Sequence, residues 1–273
     1  MVTGAASGIG LGLVRRFVAE GMKVVMADVE RHALHAVADG LAVEGAEVLA
    51  VPTDVSLRDE VEALRDAAIE RFGAIHVLCN NAGVGSRGLP IDELPQRDFE
   101  WVIGVNLWGV IHGMQVFLPH LELHDEAHIV NTASVSAVYH LPRMGPYNAT
   151  KAAVLALSET LQFELASQGS NIGVSVLCPS WVRTNISAAV RNLPERLAYE
   201  ITTEQAAQIA AYKAHRKDQQ TIAIEPAEVA AQVVDAIRAD RFYVFTHPES
   251  LENVSDRFGR MLAGENPAEP FQA

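Results

Sequence analysis

The stretch TGAASGIG, residues 3–10, lies between a short strand-forming start and a helical pattern. Its glycines have the spacing G-x-x-x-G-x-G. They let the backbone approach a pyrophosphate, whose charge is favoured by the free N–H groups of a helix N-terminus. A glycine-rich turn can also serve geometry alone. We predict a nucleotide phosphate site formed by Gly4, Ser7, Gly8, Ile9 and Gly10.

Short apolar runs alternate with amphipathic helical stretches from this turn to about Phe245. The predicted strands cover residues 23–27, 47–52, 75–80, 128–131, 172–177 and 241–245. The predicted helices cover 8–20, 31–43, 57–71, 99–121, 147–167 and 227–239. Apolar strands that are each followed by a helix indicate a parallel sheet covered on both faces. We predict an α/β fold, a doubly wound Rossmann-type sheet of about seven mostly parallel strands, in a single domain over 1–273.

Two stretches depart from this alternation. Residues 187–221 are helix-prone and precede the last strand, at a position where a lid over a substrate is expected. The tail after 247 is expected to hold a short helix and a loose end. The start supplies only Met1–Thr3 for a central strand, which suggests a truncated start.

Composition excludes several classes of function. The chain has 34 acidic and 21 basic residues and a net charge of −13, so no basic surface is expected for nucleic acid. We find no long uncharged apolar run and expect no membrane partner. Cys79 and Cys178 lie in predicted buried strands, as core thiols would in a reducing, cytoplasmic compartment. No histidine and carboxylate spacing indicates a metal site.

The second predicted strand ends at Asp28, whose carboxylate would accept hydrogen bonds from adenosine ribose hydroxyls and repel a 2′-phosphate. Position 29 is Val, and Arg31 is the one basic candidate nearby. Asp28 could instead cap the following helix. We expect NAD, with NADP less favoured.

Tyr147 and Lys151 are four residues apart in a predicted helix and share one face. A free tyrosine has a pKa of about 10, and an ammonium group beside it favours the phenolate. Lowering that pKa by about three units takes roughly 4 kcal/mol, which a desolvated cleft can supply. Such a phenol is a base for alcohol oxidation and an acid for ketone reduction. The alternative is an ordinary surface Tyr and Lys.

Several motifs follow one another in the chain: the glycine turn, Asp54, NNAG at 80–83, Asn106, Ser134, Tyr147-x-x-x-Lys151 and residues 179–184. In this order the chain resembles the short-chain dehydrogenase/reductase family from Val2 to about Phe245. The resemblance implies a catalytic set of Asn106, Ser134, Tyr147 and Lys151. It also implies cofactor contacts at Asp54, Val55, Asn80, Ala82, Gly83, Tyr147, Lys151, Pro179, Val182 and Thr184.

The resemblance also gives these residues roles. Ser134 would hold the substrate oxygen beside Tyr147, and Lys151 would also bind the nicotinamide ribose. Asn106 would kink its helix and hold a water that leads protons to solvent. Related proteins commonly form oligomers through helices around 101–121 and 147–167, so we expect a homo-oligomer, a dimer or a tetramer.

The residues expected around the substrate are mostly apolar, which suits a bulky hydrophobic or aromatic alcohol or ketone. Those expected to touch it are Ser136, His140, Met144 and Trp181, with Val138 and Leu141 nearby. Ser180 stands where the family usually has glycine, which alters the pocket floor. Segments 101–118 and 243–249 resemble the branch that oxidises benzylic alcohols. The alternatives are an NADPH-dependent carbonyl or 3-oxoacyl reductase and a catalytically silent, dinucleotide-sensing binding protein.

Overall fold

The computed structural model describes residues 1–215 and 222–268 and contains one seven-stranded sheet. All neighbouring strands run parallel, in the order β3-β2-β1-β4-β5-β6-β7. The strands are β1 Val2–Thr3, β2 Val24–Asp28, β3 Val48–Pro52, β4 Val77–Asn80, β5 Ala127–Thr132, β6 Ile172–Cys178 and β7 Tyr243–Phe245. The predicted doubly wound fold is confirmed.

Helices cover both faces of this sheet, as uniformly apolar strands require. They are α1 Gly8–Ala19, α2 Arg31–Val43, α3 Arg58–Phe72, α4 Gln96–Ile103, α5 Gly109–Leu121, α6 Gly145–Gln168, α7 Thr203–His215, α8 Pro226–Arg238 and α9 Leu251–Ala263. One core cluster joins α1, α2 and α8 to one face, and a second joins α3, α5 and α6 to the other. The two cysteines are free and buried, and burial raises the pKa of each thiol to about 12.

The predicted helix over 99–121 is wrong in its interior. It is interrupted by a π-helical turn, Gly104–Trp108, that separates α4 from α5. Asn106 lies in the middle of this turn, where its side chain is fully buried. Such bulges are frequent at functional sites because they redirect a side chain out of the regular helical ladder. The periodicity of the flanking residues could not reveal the extra residue in the turn.

The same stretch corrects the expectation about long apolar runs. Residues Gln96–Leu121 contain an 18-residue window of mean hydropathy 1.4, long and apolar enough for a membrane span by composition. Half of that window is buried inside the protein, where α5 packs on α3 and β4. The core helix of a folded domain passes this test for the same reason, because it must be apolar to pack on a sheet.

The predicted lid contains short helical turns, Ile186–Asn192 and Glu195–Leu197, followed by α7. Residues 216–221 of the predicted lid, and 269–273 of the tail, lie outside the described residues. A bridge between Val182 and Ile224 joins the two ends of this insertion. After β7 the chain forms a turn, Pro248–Ser250, and then α9, which has no buried residue.

Candidate functional site

A cleft of about 680 Å³ opens at the carboxyl ends of the strands. It lies across the point where the strand order reverses, between β1 and β4, which is where open parallel sheets bind ligands. Residues that follow β1 to β6 line the cleft on the sheet side, and the lid lines it opposite them. Nearly all residues predicted for the site therefore meet in one place.

The glycine turn forms one end of the cleft. Gly4 and Gly8 have φ of +66° and +53°, and both line the cleft with Ser7 and Ile9. Ser7 is the N-cap of α1 without a side-chain cap bond, so the helix N-terminus is open to an anion. These features fit the pyrophosphate of a dinucleotide.

Gly10, predicted as a contact of the cofactor, does not line the cleft. A Cβ at this position would lie 2.0 Å from the carbonyl oxygen of Gly4. A Cβ at Gly8 would lie 3.0 Å from Cγ2 of Thr184. Gly10 therefore allows the turn to close, whereas Gly8 allows residues 179–184 to approach it.

Asp28 lines the cleft at the end of β2. Its Oδ2 accepts a hydrogen bond from Ala6 N at 2.9 Å, and its Oδ1 accepts one from Glu30 N at 2.9 Å. The carboxylate is thereby held against the glycine turn. Glu30 lies on the same wall and is paired with Arg191 of the lid, whose guanidinium lowers the pKa of Glu30.

The residues after β3 and β4 continue the wall. Asp54 lines it beside Val55, with Oδ1 accepting bonds from Ser56 N at 2.9 Å and Ser56 Oγ at 2.7 Å. Ala82 and Gly83 line it as predicted. The same face thus carries a carboxylate at the end of β2 and another just after β3.

Asn80 does not line the cleft, and its predicted contact with the cofactor stays a prediction. Its Nδ2 donates to Asn131 Oδ1 at 2.9 Å beneath the sheet edge, and Asn80 is 3% exposed. Asn81 lines the cleft instead and donates from Nδ2 to Thr3 O at 2.9 Å. Successive side chains of a strand point to opposite faces, so a shift of one position decides which asparagine faces the cleft.

Tyr147 and Lys151 lie on one face of α6 and line the cleft with Ser134. The Lys151 ammonium is 5.7 Å from the centroid of the Tyr147 ring and donates to Thr132 O at 2.7 Å. Burial lowers the pKa of Lys151 to about 8. Ser134 Oγ accepts from Ser136 N at 3.1 Å and donates to Pro179 O at 3.3 Å. Phenol, ammonium and hydroxyl are thus brought together on the cleft wall.

Asn106 is adjacent to this group but does not line the cleft. Its Oδ1 accepts from Val84 N at 2.8 Å, and its Nδ2 donates to Val84 O at 2.9 Å. A Cβ at Gly83 would lie 3.5 Å from both Asn106 Oδ1 and Lys151 Nζ. The π-helical turn therefore fixes the chain after β4 beside the buried lysine.

The predicted substrate residues divide into two groups. Ser136, Met144 and Trp181 line the cleft, together with Leu141. His140 is exposed and outside the cleft, with its Nδ1 beside Ser136 O at 3.1 Å, and Val138 is buried in a separate cluster. Pro179, Val182 and Thr184, predicted as cofactor contacts, also line the cleft.

Sequence reasoning missed a cluster of interacting side chains in the cleft wall. Arg87 lines the cleft, and its Nε donates to Asp98 Oδ1 at 3.1 Å. Tyr199, from the lid, donates to Asp98 Oδ2 at 2.7 Å and stacks on the guanidinium at 4.6 Å. No local motif signals this cluster, because its members come from three separate segments.

Comparisons with known proteins agree with this geometry. A sequence model described as short chain dehydrogenase matches residues 1–195. The 1-deoxy-11-beta-hydroxypentalenate dehydrogenase of Streptomyces exfoliatus is 36% identical over 260 residues, 94% of this chain and 86% of that protein. The C alpha-dehydrogenase of a Sphingobium species is 33% identical over 271 residues, 98% and 86% of the two chains.

A solved structure is also similar over the full chain. The short-chain dehydrogenase/reductase from Burkholderia phymatum, crystallised in complex with NAD, superimposes with a TM-score of 0.94. It is 43% identical, and the alignment covers 100% of this chain and 96% of that chain. The similarity therefore extends over the whole length of the chain.

Proposed function

The chain belongs to the short-chain dehydrogenase/reductase family, and from this premise we propose that it is an NAD-dependent enzyme that interconverts a secondary alcohol and a ketone. Membership makes it an NAD(P)-dependent oxidoreductase acting on CH–OH groups. The single observation that supports the chemistry is the Lys151 ammonium buried 5.7 Å from the Tyr147 ring, on a cleft wall shared with Ser134.

In this proposal the phenol of Tyr147 moves the proton. It takes the hydroxyl proton of the alcohol during oxidation and returns a proton to the ketone oxygen during reduction. Lys151 favours the phenolate by its positive charge, and Ser134 Oγ orients the substrate oxygen. NAD, when bound, supplies the acceptor or the donor of the hydride. Asn106, which lies next to Gly83 and Lys151, would hold a water through which protons reach solvent.

The choice of NAD rests on charge. Asp28 is held on the cleft wall by two backbone N–H groups, and Glu30 lies beside it. A 2′-phosphate placed there would meet both carboxylates, whereas ribose hydroxyls would donate to Asp28. Arg191, which pairs with Glu30, is the observation that favours the alternative, an NADPH-dependent carbonyl or 3-oxoacyl reductase.

The substrate pocket supports a bulky hydrophobic alcohol. Apolar side chains line it from the loop before α6, from residue 181 and from the lid, namely Leu141, Met144, Trp181, Ile186, Ala189 and Leu197. The relative from Streptomyces exfoliatus is named for a hydroxypentalenate substrate. Against these apolar side chains a sugar would leave hydroxyls unpaired.

The deciding assay follows nicotinamide absorbance with NAD or NADP and a panel of aromatic, terpenoid and steroid alcohols. We expect turnover with NAD and little with NADP. Tyr147→Phe should abolish turnover and leave NAD binding, measured by calorimetry, nearly unchanged. The control Tyr243→Phe loses only a surface hydrogen bond to Glu159 and should retain turnover. Turnover by Tyr147→Phe would contradict the mechanism. NAD binding without turnover of any substrate would favour a dinucleotide-sensing protein.

We also propose that the protein forms a homo-oligomer. Trp108, next to α5, is 49% exposed, and Phe163, on α6, is 71% exposed. Large apolar side chains exposed on both helices are typical of a surface that another copy covers. Light scattering should give a mass of two or four chains, and a mass of one chain would contradict the proposal.

A further inference from the structure

The lining of the cleft contains several cations, although the protein has a net charge of −13. We define the outer part of the cleft as the space between residues 84–88 and residues 186–213 of the described chain. A Cβ at Gly85 would meet Ile186 O at 3.4 Å, and one at Gly88 would meet the Tyr212 ring, so this loop touches the lid at both ends. Among residues 1–215 and 222–268, the lid contributes Arg191, Arg196 and Lys213 to the lining of the cleft, and Arg87 and Glu100 also line it.

Arg87 is the most deeply buried of these cations and is fixed in place. Its side chain is 9% exposed and that of Asp98 is 3% exposed, with Nε bonded to Asp98. The Tyr199 ring covers the guanidinium, and the Tyr199 hydroxyl occupies the second oxygen of Asp98. Holding an arginine this rigidly removes most of the entropy that it would lose when it binds a ligand.

Most of the five N–H groups of the Arg87 guanidinium remain for a ligand. Its Nε donates to Asp98, the guanidinium also interacts with the Tyr199 hydroxyl, and the residue lines the cleft. A guanidinium presents its terminal N–H groups as a planar fork that matches a carboxylate. A side chain that is nine-tenths buried, and whose remaining donors lie on a cleft wall, is prepared for an anion.

We propose that Arg87 binds a carboxylate of the substrate, so that the enzyme acts on hydrophobic hydroxy acids or oxo acids. This inference rests on the proposed alcohol and ketone chemistry at Tyr147. Asp98 is already paired, so the substrate anion meets a cation fixed in direction rather than a free negative charge. The exposed Arg196 and Lys213 raise the local concentration of anions at the rim.

The test compares each acid with its neutral ester. The substrates are a hydroxycyclohexane carboxylate, a hydroxy fatty acid and a hydroxy steroid acid, each beside its methyl ester, and a hydroxyalkyl phosphate as a second anion. Wild type should prefer the acids over the esters in kcat/KM by about ten- to a hundredfold, the range expected for a hydrogen bond to a charged group.

Removing Arg87 alone would leave Asp98 buried without its cation, so the decisive variant is the double change Arg87→Met with Asp98→Asn. Its amide oxygen still accepts from Tyr199. We expect kcat/KM for the acid to fall about ten- to a hundredfold and that for the ester to change less than about twofold. Arg65→Met, which removes a surface ion pair with Asp66, is the matched control.

Each outcome bears on one proposal. Equal losses for acid and ester, or an undiminished preference for the acid, would overturn the role of Arg87 and leave Tyr147 chemistry intact. Preference for the phosphate over the carboxylate would overturn the substrate class. If wild type turns over neither acids nor esters, the proposed function fails instead. Calorimetric binding of the hydroxy steroid acid and its ester to wild type and the double variant then tests Arg87 separately.

Discussion

Replacing Lys151 by Met tests whether a buried ammonium sets the pH at which the enzyme works. Lys151 Nζ lies 5.7 Å from the centroid of the Tyr147 ring, and the residue is 3% exposed. If the centroid represents the phenolate charge, an effective dielectric constant of about 20 gives an attraction of about 2.9 kcal/mol. At about 1.36 kcal/mol per pH unit, this attraction is equivalent to about two units.

We therefore expect the pH midpoint of alcohol oxidation by Lys151→Met to lie about two units above that of wild type. The rate near neutral pH should fall by about a hundredfold. The assay is the initial rate of nicotinamide reduction at saturating NAD and alcohol across the pH range in which the protein stays folded. Lys23→Met, which removes a surface pair with Glu47, should leave the midpoint unchanged. An unshifted midpoint in Lys151→Met would refute the reasoning.

If Lys151→Met unfolded, its activity would be lost for a reason unrelated to the mechanism. The burial of Lys151 predicts that the variant stays folded. Burial lowers its pKa from 10.5 to about 8, so keeping the charge inside costs about 3 kcal/mol at neutral pH. Between pH of about 8 and 10.5, Lys151 is protonated in the unfolded chain and neutral in the folded protein. The free-energy cost of the buried charge therefore disappears as the pH rises through this range. We expect Lys151→Met to melt no lower than wild type at neutral pH by differential scanning calorimetry.

Three further substitutions test the site by other measurements. Asp28→Ser should weaken NAD about tenfold in calorimetry and improve NADP, because a charged acceptor is lost and repulsion is relieved. Asn106→Ala leaves both backbone groups of Val84 unpaired, and thermal denaturation should show a loss of about 3 kcal/mol, or about 10 °C. Gly10→Ala places a Cβ 2.0 Å from Gly4 O and should cost about 3 kcal/mol with loss of NAD binding.

Matched controls separate these effects from general damage. Gly40→Ala, in α2, adds a Cβ with nothing within 4 Å and should stabilise the protein by about 0.5–1 kcal/mol. Asp39→Ser, on the exposed side of α2, should leave the ratio of the NAD and NADP affinities unchanged. Asn192→Ala loses a half-exposed hydrogen bond to Glu30 and should lower the free energy of unfolding by less than Asn106→Ala does. A Gly10→Ala enzyme that binds NAD normally would contradict the tight closure of the turn.

The fold and the chemical centre could be predicted because their signals are local. Uniformly apolar strands between amphipathic helices indicate a parallel sheet, and the sheet brings the turns after its strands to one edge. Tyr147 and Lys151 lie four residues apart on one helix, so their proximity follows from helical geometry. The glycine turn could likewise be predicted because the residues that form it lie within eight positions, and Gly4 and Gly8 take the positive φ that glycine allows.

The remaining features depend on contacts that local patterns do not contain. Asn80 and Asn81 are adjacent, and the strand register alone decides which of them faces the cleft. Arg87 reaches Asp98 eleven residues later, and Asp98 is joined to Tyr199 across 101 residues. These partners lie in a loop, a helix and the lid, and only tertiary packing brings them together. A one-residue insertion in a helix, such as the π-helical turn, also leaves the apolar pattern nearly unchanged.

The groups around Lys151 are uncharged, and this determines how its ammonium acts on Tyr147. Its ammonium donates to the carbonyl oxygen of Thr132, and Gly83 leaves room beside it for the amide of Asn106. Among residues 1–215 and 222–268, no carboxylate forms a salt bridge with it. A carboxylate there would hold the proton on Lys151 but cancel the positive field at Tyr147. Because the pocket is uncharged, burial brings the pKa of the lysine to about 8, and its field acts on the phenol.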